Sequence, residues 1–184
     1  MLEKSELHRI LDTQKKAHLK DGPLSLDQRK DWIDRLINSI VKYQKQLPEA
    51  ISEDFSHRSK TSSLLADVAS SITSLKIAKK NIKKWMKPSK REVSPKILSF
   101  LGAKLRVEYQ PLGTVGLISP WNFPVVLTFG PLGSIFAAGN RVMIKPSEFT
   151  PITSELMKQM FKENFSEDEV AVVTGGPEVG ADFS

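Results

Sequence analysis

The chain has 184 residues, 40% of them hydrophobic, which is enough for a core of domain size and too apolar for a disordered protein. Its 27 Lys and Arg against 21 Asp and Glu leave a net charge of +6, by itself a weak argument for an acidic partner. The lack of cysteine excludes disulfides, thiolate metal sites and a cysteine nucleophile within these residues.

Residues 1–24 are polar, with charges every few positions and no apolar leader core. Leu2, Leu7, Ile10 and Leu11 form only a short helical stripe, which predicts a frayed or loosely docked arm. No run is long enough to span a bilayer, so a soluble, cytoplasmic protein without membrane contact is expected. Residues 25–92 read as a helical region. Ser25-Leu26-Asp27-Gln28 matches a capping box, and Trp32, Ile33, Leu36, Ile37, Ile40 and Val41 mark one face of a helix to about Lys45. Pro48 opens a short helix through about Phe55. From Ser62 to Lys87 the stripe Leu64, Leu65, Val68, Ile72, Leu75, Ala78, Ile82, Trp85 predicts a long amphipathic helix stopped by Pro88.

Eight Lys or Arg and no acid lie between Lys76 and Arg91. A solvated helix face, its lysine stems covering apolar surface, explains them better than a nucleic-acid or membrane site, because Trp85 is the only aromatic among them. His8, His18 and His57 sit in polar segments without ligand spacing and read as surface residues, so no metal site is expected. Residues 93–110 read as an extended arm: Ile97 to Leu101, a turn at Gly102-Ala103, then an alternating segment from Lys104 to Tyr109.

From residue 111 the pattern becomes β-α-β-α-β. Val115, Leu117 and Ile118 have the length of a buried strand, and Ser119-Pro120 must end it because proline has no ladder donor. Trp121-Asn122-Phe123-Pro124 follow as a loop into a helix to about Ala138, stopped by Gly139-Asn140. A second buried strand, Arg141 to Ile144, leads into Lys145-Pro146-Ser147-Glu148. Thr150-Pro151 resembles the cap and first position of the next helix, and a third strand covers Val170 to Val173. Such a unit implies a parallel sheet with right-handed crossovers and a ligand site beyond the carboxyl ends of its strands, where Asn122, Lys145 and the 175–180 glycines would gather. The chain stops at Ala181-Asp182-Phe183-Ser184, in what reads as the first turn of a helix, and three strands leave an apolar edge, so a piece of a longer protein is expected.

The ordered motifs Pro111-Leu112-Gly113, Pro120-Trp121-Asn122-Phe123-Pro124, Ala138-Gly139-Asn140, Lys145-Pro146-Ser147-Glu148 and Thr150-Pro151 resemble the aldehyde dehydrogenase superfamily, in particular its class-3-like, coniferyl aldehyde dehydrogenase-like branch, from about Asp27 onward. The resemblance implies an α/β fold with a helical region and the first part of a Rossmann-like nucleotide-binding domain over 111–184. It implies NAD-dependent oxidation of an aldehyde to a carboxylic acid, with NADP as the alternative cofactor.

By that resemblance Asn122 would donate its amide to the oxyanion. Lys145 and Glu148 would hold the adenosine ribose, with Ser147 also binding the cofactor, and Ile118, Ser119, Pro120 and Trp121 would line the nicotinamide side. Gly176, Pro177 and Gly180 would form a glycine turn near the pyrophosphate and the adenine edge. The catalytic cysteine and general-base glutamate would fall beyond Ser184, so these 184 residues alone are expected to be inactive. The 93–110 arm would make a homo-oligomer.

Plainer readings stand beside these. Asn122 alone would be a turn residue, Lys145 a solvated strand end, Glu148 a helix N-terminal charge, and Gly175, Gly176 and Gly180 serve turn geometry equally well. The alternative function is a non-catalytic nucleotide-binding or oligomerisation module, with nucleic-acid binding through residues 76–91 a weaker third.

Overall fold

Capping chemistry and apolar periodicity set the helical half of the molecule. The computed structural model describes residues 4–184. Helix α1 spans Lys4–Asp21, so the predicted loose arm is instead an ordered helix docked on the rest of the chain. Its stripe is short but backed by a polar anchor. The buried Gln14 side chain donates to the carbonyls of Val142 and Glu167, both at 3.0 Å. Leu2, counted in the predicted stripe, lies outside the described residues.

Helix α2 (Leu26–Lys42) starts from the predicted capping box: the Gln28 amide donates to Ser25 Oγ at 3.2 Å, and the Ser25 amide to Gln28 Oε1 at 2.8 Å. Helix α3 is Gln46–Asp54. The predicted long helix is one rod with a defect: α4 (Lys60–Ser63), a π-helical stretch Leu64–Ala69, then α5 (Ser70–Trp85). A π turn carries extra residues, so the apolar face before it is rotated from the face after it. Val68, Leu75, Ala78 and Ile82 are buried as predicted, whereas Leu64 and Leu65 are exposed and Asp67 turns inward. Trp85, at the last turn, is also exposed, unlike the buried Trp32.

The segment expected as two extended halves differs in its first half. Residues Lys96–Phe100 form a short helix, α6, between strands β1 (Ser89–Arg91) and β2 (Leu105–Val107), which pair antiparallel with Lys90 opposite Arg106. The run Ile97 to Leu101 has no period-2 alternation to hold it as a strand, and the alternating residues after Gly102 do form one. Gly102 makes the predicted turn at φ +96°.

The βαβαβ unit is as read, except that β3, expected to be buried, lies at the sheet edge with Gly116 and Ile118 exposed. Strands β3 (Thr114–Ile118), β4 (Arg141–Lys145) and β5 (Val170–Val172) form a parallel sheet in that order, linked by α7 (Val126–Ala137) and α8 (Pro151–Asn164), with α9 (Pro177–Phe183) after β5. The predicted cap of α8 is different. Thr150 makes no side-chain cap bond; instead Asp54, from the end of α3, accepts from the Ile152 and Thr153 amides at 3.1 and 2.8 Å.

Side chains of β4 alternate between two cores. Val142 and Ile144 join Leu36, Leu75, Phe129, Phe136, Met157 and other apolar side chains of α2, α3, α5, α7 and α8 on one face. Met143 joins Leu7, Ile10, Ala171, Val173 and Val179 under α1 and α9 on the other. The result is three layers with every residue of β4 buried. Its first residue, Arg141, is held between Asp21, 2.5 Å from one guanidinium nitrogen, and Asp168, 2.8 Å from the other.

Candidate active site at the strand ends

The parallel register brings the predicted residues to one edge of the sheet. Ile118 lies opposite Lys145, and the Ser119 amide donates to the Lys145 carbonyl at 3.0 Å, so the loops after β3 and β4 leave side by side. Ser119 is buried and its hydroxyl lies 2.9 Å from that of Thr128, which donates to the Pro124 carbonyl at 2.6 Å. This chain of hydroxyls ties the start of the loop to the first turn of α7. Pro120, Trp121, Asn122 and Phe123 between them are exposed. No side chain among the described residues bonds the Asn122 amide, so its donors are free at the rim.

Trp121 stacks on Phe55, with ring centroids 6.1 Å apart and planes at 29°. Arg58 donates to the Asn122 backbone carbonyl at 2.8 Å and places its guanidinium 4.6 Å from the centre of the Phe123 ring. Asp67 accepts from the Val125 and Val126 amides at 3.2 and 3.1 Å, capping the turn that leads into α7. Burial pushes the Asp67 carboxyl above its ordinary range, against the two amides and Arg58, which favour its charge.

Lys145 ends β4 with its side chain 4% exposed and donates to Glu148 Oε2 at 2.6 Å. That bond holds the Glu148 carboxyl below the ordinary carboxylate range. An ammonium has three donors, so two remain on Lys145, and Glu148 keeps acceptor capacity at 29% side-chain exposure. Ser147 is buried, with its hydroxyl accepting from the Phe149 amide at 3.2 Å. After β5, Gly176 caps α9 and Pro177 is its first residue. A side chain at Gly180 would begin 3.8 Å from Lys145 Cε, which puts the α9 turn against the same lysine.

The structure therefore gathers Ile118, Ser119, Lys145, Glu148 and Gly180 at one edge, with Asn122 on the adjoining loop and Gly176 and Pro177 at the start of α9. Arg58, Asp67 and Asp54 were not singled out from the sequence. A carboxylate interrupting an apolar helical stripe, as Asp67 does between Leu65 and Val68, is the signal that could have found one of them.

A parallel βαβαβ unit with helices on both faces of its sheet is a Rossmann-like α/β architecture. More narrowly, the chain belongs to the Aldehyde dehydrogenase family, whose sequence profile matches residues 2–184. It is 54% identical over 181 residues to a protein of Caulobacter vibrioides named "Probable coniferyl aldehyde dehydrogenase", covering 98% of this chain and 37% of that one. Among solved structures, the substrate-bound state of Staphylococcus aureus AldH superposes with a TM-score of 0.86 at 29% identity, covering 94% of this chain and 37% of that one. The fold is shared with an NAD+ complex of an aldehyde dehydrogenase from Bacillus cereus, at a TM-score of 0.82 and 23% identity over 98% of this chain and 36% of that one. The chain thus spans little more than a third of the length of these relatives. Among the described residues no helix is long and apolar enough to cross a membrane.

Proposed function

We propose that this chain is the N-terminal third of an NAD(P)-dependent aldehyde dehydrogenase that oxidises an aromatic, coniferyl-type aldehyde to its carboxylic acid. The observation that carries the reading is the strand-end group: a free Asn122 amide on the loop after β3 beside the Lys145–Glu148 pair after β4. A donor and a carboxylate side by side match the vicinal hydroxyls of a ribose, and the carboxylate repels a 2′-phosphate, which favours NAD over NADP. When bound, the nicotinamide supplies the acceptor for the hydride that leaves the substrate carbon.

The residues of this chain do the holding. Lys145 donates to the ribose hydroxyls and Glu148 accepts from them, with Ser147 fixing the turn between. Ile118, Ser119, Pro120 and Trp121 bound the nicotinamide side, and Gly176, Pro177 and Gly180 leave room for the pyrophosphate. Asn122 stabilises the negative charge that grows on the aldehyde oxygen as a nucleophile adds. That nucleophile, in this family reading a cysteine thiolate, must come from sequence outside these residues, which contain no cysteine. The exposed apolar side chains of the 93–110 arm, Ile97, Phe100 and Leu101 among them, would be covered in a homo-oligomer.

The test is NADH formation from coniferyl aldehyde, measured on the 184-residue polypeptide and on the complete protein that carries it. The reading expects no turnover from the first and turnover from the second. Turnover by the 184 residues alone, or none by the complete protein with any aromatic aldehyde, would sink it.

A further inference from the structure

Asn122 is useful as an oxyanion donor only if its backbone is fixed, because a side-chain amide on a loose loop loses the preorganisation that makes it effective. The loop that carries it has few anchors of its own. Trp121, Asn122 and Phe123 are exposed.

What holds the loop comes from the helical region. Arg58 lies just after α3, its side chain 18% exposed, and reaches four groups at once. It donates to the Asn122 carbonyl at 2.8 Å and lies 4.6 Å from the centre of the Phe123 ring. It is also 5.3 Å from the centre of Phe55, itself the ring that stacks on Trp121, and 3.7 Å from Asp67 Oδ2. Asp67 is fully buried. Its Oδ1 takes both backbone amides at the far side of the loop, Val125 and Val126, and its Oδ2 has no hydrogen bond. A buried carboxylate with one oxygen unbonded is costly, and a chain retains it where charge or geometry serves a purpose.

The π-helical stretch Leu64–Ala69 turns Asp67 inward while Leu64 and Leu65 face solvent. Single π turns recur at functional sites for this reason: they re-aim one side chain without ending the helix.

We infer that Arg58 and Asp67 are positioning residues for the aldehyde oxidation, clamping the 121–126 loop from its two ends so that the Asn122 side chain points at the reacting carbonyl. Arg58 fixes the Asn122 peptide itself, and Asp67 fixes the start of the following helix. The clamp uses the Asn122 carbonyl and leaves its side-chain amide unengaged. The inference rests on the reading of Asn122 as oxyanion donor.

The experiment is a mutant cycle in the complete protein, with kcat for coniferyl aldehyde, the NAD dissociation constant and hydrogen exchange of the 121–128 segment as readouts. Asn122→Ala is expected to lower kcat by about 10²–10³. Arg58→Gln is expected to lower it by about tenfold or more while leaving the NAD dissociation constant unchanged, and to speed exchange across 121–126 but not across α8. Arg58→Lys keeps the charge without the fork, should fall between, and stands in if Arg58→Gln does not fold. The double variant Arg58→Gln/Asn122→Ala should be no slower than Asn122→Ala alone, because a clamp has nothing to position once the amide is gone. Wild-type kcat or unchanged exchange in the Arg58 variants, or losses that multiply in the double variant, would overturn the clamp while leaving Asn122 in place. Wild-type kcat in Asn122→Ala would instead overturn the reading of Asn122, and the clamp with it.

Discussion

The three-layer body and the arm formed by β1, α6 and β2 are written in the same kinds of residue and meet opposite fates. In the body, all five residues of β4 are buried, including Arg141 and Lys145 at its ends, and each of those two charges has a carboxylate within 2.8 Å. In the arm, β2 is exposed throughout, α6 buries nothing, and Phe100 is 88% exposed. The difference teaches that apolar residues define a core only where the chain supplies the opposing surface. The arm's Ile97, Leu98, Phe100 and Leu101 have none within this chain and stay exposed.

Cutting one large side chain from each region puts the contrast to its widest test. Phe136→Ala, at the centre of the body beside Trp32 and Phe165, should cost about 3–5 kcal/mol in urea unfolding of the 184-residue chain. Phe100→Ala should stay within about 0.5 kcal/mol. Equal losses would break the comparison.

A glycine pair sharpens it. Gly139 and Gly102 both have positive φ, +85° and +96°, so alanine is strained at either. At Gly102 the added carbon meets nothing within 4 Å, and the cost should be the backbone term alone, about 1–2 kcal/mol. At Gly139 it would lie 2.8 Å from the Arg29 guanidinium, which donates to Ala137 at the end of α7, so the loss should exceed that of Gly102→Ala by about 1 kcal/mol or more. Thermal melts of the two variants decide it.

Smaller still is the cap of α8. Asp54→Ala removes the acceptor for the Ile152 and Thr153 amides and the Thr153 hydroxyl and should cost about 1 kcal/mol. Those two amides should exchange faster while the amides of α6, whose Pro95 cap makes no side-chain bond, stay as they are.

The last effect is one of pH. Glu163, which bonds Lys42, Tyr43 and Gln159, is held down at about 2. A depressed carboxylate contributes stability that is complete above its ordinary value near 4.5 and fades as pH falls toward 2. Unfolding midpoints between pH 5 and pH 2 should therefore drop less steeply in Glu163→Gln than in the wild type.

Much of the body was legible because its signals are local and its period is strong: the Ser25 capping box, the Pro120 strand stop, the Gly139-Asn140 helix stop and the apolar runs of β3, β4 and β5. Two of the misses, the docking of α1 and the cap of α8, share one cause, a partner distant in sequence. The N-terminal stripe looked too short to dock, yet Gln14 reaches carbonyls 128 and 153 residues away. Thr150 looked like a cap, but a carboxylate from Asp54 had already taken the amides. The long helix kept its apolar period on paper, and only the structure shows that its π turn rotates Leu64 and Leu65 outward and Asp67 inward. For the site, the motifs brought the expected residues to one sheet edge, while the Arg58–Asp67 support could not be paired from a sequence in which 58 and 67 flank a helix start.

The most direct measurement is an NAD titration of the complete protein beside its Lys145→Met variant, with circular dichroism to confirm that both are folded. If the edge of β4 holds the ribose, losing this charged donor should weaken NAD binding by about tenfold or more. An unchanged dissociation constant in a folded variant would contradict the account and place the nucleotide elsewhere.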